Sequence, residues 1–66
     1  MQTYEIDLFR SNGARDCLLA IVCANDLAAI VFARLVLRLN RQRVAELFVR
    51  RDDAVIFEQR HCPRLN

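Results

Sequence analysis

Cys17, Cys23, His61 and Cys62 are the soft ligands available to a metal ion in this 66-residue chain. Zinc centres draw four donors from close pairs two to four residues apart. Here only His61 and Cys62 are close, and adjacent residues serve one ion poorly. The set reads instead as two buried structural thiols and one thiol in a loose tail. Cys17 and Cys23 share the stretch CLLAIVC, and six extended steps of about 3.3 Å place them roughly 20 Å apart, too far to bridge within one chain. Three cysteines form an odd set that implies no closed disulfide framework, so reduced thiols and a cytoplasmic setting are expected. A Cys62–His61 nucleophile would have to be held firmly, which a tail does not do. Asp52-Asp53 is explained by a solvated turn. One glycine cannot build a phosphate-cradling loop. The expectation is a protein that is not an enzyme and takes no cofactor or metal.

Arginine offers a different chemistry. All ten basic Lys/Arg positions are Arg, against eight acidic residues, for a formal charge of +2 and a pI near 8.7. That balance is mild beside the strongly basic signature of a dedicated nucleic-acid binder. Arg34, Arg38 and Arg41 nevertheless follow i, i+4, i+7 spacing, with Arg43 close behind. Such a stripe could track phosphates, with Phe48, Phe57 and Arg50 stacking on bases from a sheet. A solvated helix edge with ordinary core aromatics is the plainer reading.

Elements must position these groups, and the hydrophobic pattern sets them out. Tyr4, Ile6 and Leu8 alternate with Thr3, Glu5 and Asp7, which predicts a half-buried strand over about residues 2–9. Ser11-Asn12-Gly13 follows, and Asn-Gly predicts a two-residue hairpin turn. Cys17 to Cys23 is a continuous apolar run of strand length. Asn25 or Asp26 then caps a helix that runs to about Leu39, where Asn40 can end it in a left-handed conformation. At about 100° per residue, Ala29, Phe32, Ala33 and Val36, with Leu39 nearby, form the expected core face. Arg34 and Arg38 mark a polar edge, and Leu27, Val31 and Leu35 beside them look exposed. The helix is greasier than one buried face requires. VAELFV and AVIFEQ form a second hairpin with its loop at 51–52 or 52–53. That register places Leu47 and Val49 with Ile56 on one face, and Phe48 with Val55 and Phe57 on the other.

The predicted fold is α+β, a four-stranded antiparallel sheet of ββαββ plan with one helix packed on one face. A single domain over 1–60 precedes a loose tail at 61–66. Tyr4-x-Ile6-x-Leu8, Cys23-Ala24-Asn25-Asp26, the Ala29-to-Arg34 stretch and Glu46-x-Phe48 resemble a group of short uncharacterised α-proteobacterial proteins, a domain of unknown function. The resemblance spans most of residues 3–57 and implies the ββαββ plan and a bacterial setting, without an activity. The chain departs from that pattern in lacking a glycine at the last turn and in its apolar helix.

Hydrophobic residues make up 55% of the sequence, above the usual 45–50% or so, in a chain too short to bury them well alone. A membrane span would account for the excess, but Asn25 and Asp26 interrupt the apolar stretch from 17 to 33, and a central Asp costs about 2.5–3.5 kcal/mol. The expected role is therefore a self-associating interaction module, a dimer formed through the helix-free sheet face or an edge strand. Leu18, Val22, Phe48, Val55 and Phe57 are the candidate contacts. An unidentified second protein is the other candidate partner. The alternative is a small nucleic-acid-binding protein using Arg34, Arg38, Arg41 and Arg43.

Overall fold

A computed structural model describes residues 1–60, so the expected tail at 61–66, with His61 and Cys62, lies outside the described residues. Strands β1 (Gln2–Phe9) and β2 (Arg15–Cys23) form a hairpin, helix α1 (Asp26–Leu39) follows, and β3 (Glu46–Arg51) and β4 (Ala54–Arg60) form a second hairpin. The ββαββ plan is as expected. All three strand pairings are antiparallel, and the order β2-β1-β3-β4 leaves β2 and β4 as the edges.

The alternation in β1 decides which face is buried. Tyr4, Ile6 and Leu8 point to the helix side, opposite Ile21, Leu19 and Cys17 of β2, while Ile6 and Leu8 also face Val49 and Leu47 of β3. Helix α1 closes over them with Ala29, Ala33 and Leu37, and Val44 seals the end of the core. Phe32 and Leu39, placed by the wheel on the core face, are instead exposed at 41% and 73%, and Leu37 takes the buried position. The two alanines explain this rotation. Their small side chains let the helix backbone approach the sheet closely, and a wheel that weighs only polarity cannot sense size. Leu27, Val31 and Leu35 are exposed as expected.

The caps are specific. Asn25 is the N-cap, its Oδ1 accepting from the Ala28 amide at 2.8 Å. Asn40 ends the helix, though not in the left-handed region, because its φ is −119°. Its side-chain amide donates to the Val36 carbonyl at 2.8 Å, which satisfies one of the last carbonyls without a positive φ.

Both hairpins differ in detail from the sequence expectation. The first turn has three central residues. Arg10 donates to Ala14 at 2.8 Å and Gly13 to Arg10 at 2.9 Å, and Gly13 takes a φ of +89°, the position where glycine is needed. The second is a two-residue turn at Asp52-Asp53, with φ of 51° and 69°. Beyond it a bulge intervenes: Arg50 faces Val55, but Val49 faces Phe57. Ile56 is the extra residue, and it reverses the faces that follow. Phe57 therefore lies on the helix side, half-buried against the core, and does not share a face with Phe48 and Val55.

Candidate interaction surfaces

The helix-free face of the sheet is less apolar than the sequence suggests. At its centre Asp7 is buried, with Oδ2 accepting from Arg50 Nη2 at 2.6 Å and Oδ1 lying 3.0 Å from Arg15 Nε. Glu5 stands directly opposite Arg50, and Arg60 pairs with Glu46 at 2.7 Å. Phe48 sits half-buried among these charges, opposite Asp7, with its ring edge-on to Phe9 at 5.7 Å. Asp7 escaped the sequence reading because alternation marks a face without revealing what that face is packed against. The available signal was Glu5 and Asp7 on the side where Arg15 and Arg50 would fall.

The exposed large apolar residues of this face lie at its margins. Leu18 and Val22 on β2 are 44% and 62% exposed, and Val55 on β4 is 54% exposed. Four of the five candidate contacts, Leu18, Val22, Phe48 and Val55, thus share the helix-free side, with the ion-pair network between the two edges. Phe57 lies on the helix side instead, half-buried against the core, and is not part of this face.

The two edges differ in kind. Edge strand β4 carries Glu58, Gln59 and Arg60, and its bulge at Ile56 spoils the flat ladder another chain would need. Edge strand β2 has no charge from Cys17 to Cys23, no proline and no glycine. Its side chains alternate between half-buried and exposed, apolar on both faces. Both thiols are free, half-buried rather than buried, and point to the helix side.

On the other flank of the molecule, Arg34, Arg38 and Arg41 line an open groove of about 510 Å³ with Val31, Leu35 and Gln59. None of the three has a carboxylate partner among the described residues. Arg43 turns away to Asp16, which accepts from it at 3.0 Å and from Arg10 at 3.1 Å. The Arg43 hydrogen bond, aided by Arg10, holds the Asp16 carboxyl below its usual range against the opposing effect of burial. The groove lies on the helix side of the sheet and Phe48 on the opposite side, so the arginine stripe and that aromatic do not form one surface.

A third polar cluster clasps the start of the helix. The buried Tyr4 hydroxyl donates to Asp26 Oδ1 at 2.7 Å, and Arg51 pairs with the same carboxylate. Tyr4 and then Arg51 hold the Asp26 carboxyl below its ordinary range. Burial, with Asp26 beside it, raises the Tyr4 phenol.

No described helix is long and apolar enough to cross a membrane. Comparison with protein-family models, curated proteins and solved structures finds no match for this chain.

Proposed function

We propose that the protein is a non-enzymatic interaction module that works by associating with itself. The observation that carries this reading is the outer edge of β2, whose residues Cys17–Cys23 hold no charge and pair with β1 on one side only. A long apolar edge of this kind is a ready template for another strand. The rest of the surface fits the same reading, because Leu27, Val31, Leu35 and Leu39 also stay outside the core. The test is native mass by light scattering across a dilution series in reducing buffer. The expected result is a dimer or larger closed assembly that dissociates only on dilution; a folded monomer at every concentration overturns the proposal.

A second reading, nucleic-acid binding, is favoured by one observation. Arg34, Arg38 and Arg41 converge on a single groove without carboxylate partners among the described residues. Arg43, committed to Asp16, is the weakest member of that set. Phosphate contacts release counterions, so binding to labelled oligonucleotides should fall steeply with salt. No binding at low salt removes this reading.

A further inference from the structure

The partner at the β2 edge is defined by the order of its residues. We infer that two copies pair antiparallel along β2 about a two-fold axis at Ala20, joining their sheets into one of eight strands. The inference rests on the self-association proposed above and specifies its geometry.

The segment Cys17-Leu18-Leu19-Ala20-Ile21-Val22-Cys23 reads the same in chemical class from either end. In an antiparallel pair of identical strands, opposed residue numbers have a constant sum. A closed dimer of this type needs its two-fold normal to the sheet, so that the two copies present the same face and the sum is even. Centring on Ala20 sets Cys17 against Cys23, Leu18 against Val22 and Leu19 against Ile21 of the second copy. Ala20 then meets its own equivalent, and every apolar residue of the edge has an apolar partner.

The neighbouring even registers fail. A slip toward the first turn sets Val22 and Cys23 against Asp16 and Arg15 of the second copy. A slip the other way carries Cys17 past the end of the strand, opposite Asn25. Slips of one residue put the helix side of one copy against the bare side of the other and cannot close. The Ala20 register keeps both helices on one face. It also joins Leu18 and Val22 across the seam on the other face, which covers two of the most exposed apolar residues of β2. Phe32 lies on the helix flank away from the Arg34–Arg38 groove, hence toward β2, and the two Phe32 flanks face each other over the seam. The outermost strands of the joined sheet are then the two copies of β4, the edge that is already charged and bulged.

Two tests read this geometry. Ala20 is exposed in the single chain, so Lys or Glu fits there without disturbing the core. Ala20→Lys alone and Ala20→Glu alone each place like charges against each other at the axis and should weaken dimerisation by roughly tenfold or more. An equimolar mixture of the two should restore it. Circular dichroism checks that each variant stays folded.

The second test uses the thiols, since opposed residues in an antiparallel pair have Cα atoms about 4.5–5.5 Å apart, within disulfide reach. With Cys62→Ser throughout, Cys17→Ser chains are mixed and exchanged with Cys23→Ser chains, then treated with diamide. Each bridge forms as two thiols lose two protons and two electrons to the diamide, which becomes the hydrazine. A linked dimer from the mixture, and little from either variant alone, is the expected result. Linking by each variant alone as readily as by the mixture overturns the register. Dimers by light scattering that neither cross-link nor respond at Ala20 overturn the edge pairing while self-association stands. A monomeric parent chain overturns both.

Discussion

At the scale of single residues, the Tyr4–Asp26–Arg51 clasp ties the start of the helix to the first and third strands. Its titration predicts two limits to stability. The folded Asp26 carboxyl is held low by Tyr4 and Arg51. Its contribution is complete above the unfolded carboxylate value near 4 or so and is lost as pH falls through the lower folded value. The Tyr4 phenol is raised, mainly by burial. The neutral phenol therefore favours the fold in full below the unfolded value of about 10, and that contribution is lost as pH rises from there through the higher folded value. Asp26→Asn should flatten the acid limb of a stability-versus-pH curve, measured by urea unfolding at fixed temperature. It should not abolish that limb, because Asp16 is held low in the same direction. An unchanged acid limb would show the clasp to be energetically idle. None of this was legible beforehand: Tyr4 read as one apolar position in an alternating strand, and its hydroxyl partner lies 22 residues away.

At the scale of elements, local signals located all four strands and the helix, since alternation, apolar run length and capping residues act over a few neighbours. Their failures have local causes too. The register beyond the last turn was reversed at Ile56, because nothing in AVIFEQ marks the bulge that turns Phe57 toward the helix. The core face of the helix was misplaced because Ala29 and Ala33 govern the approach to the sheet through size rather than polarity. The turn at Asp52-Asp53 did read correctly as a tight hairpin, and it carries strain. Both residues sit at positive φ, the second at 69°, where a side chain is disfavoured. The chain has no glycine at this turn, although the second site of such turns favours one. Asp53→Gly is expected to stabilise the fold by about 0.5–1 kcal/mol, the backbone relief exceeding the entropy cost of glycine in the unfolded chain. Thermal unfolding of the variant checks this, and a lower midpoint would mean that the Asp53 side chain contributes more than its backbone costs.

At the scale of the whole molecule, the excess apolar content was legible in composition, but its location was not, because it depends on strand order. Pairing of β1 with β3 is what pushes β2 to the edge, and that contact joins segments about 40 residues apart (Glu5 with Arg50, for example). Pairing at β2 also leaves a second apolar surface to be settled. Leu27, Val31, Leu35 and Leu39 face away from the sheet, and in a dimer with both helices on one side these residues form a layer twice as wide as in one chain. Apolar layers of that extent seldom stay open to water. The arginines that flank them, Arg34, Arg38 and Arg41, can remain at the rim. Face-to-face packing of two dimers through their helices is therefore expected at higher concentration, giving a closed tetramer with two kinds of two-fold contact. Val31→Glu with Leu35→Glu should stop assembly at the dimer and leave helix content unchanged, since both positions are exposed in the single chain. Ala20→Lys acts on the other contact and should weaken the dimer even when dilute. Sedimentation of the two variants separates the contacts: equal masses for parent and doubly substituted chain at every concentration would mean that the helix layer is not an interface.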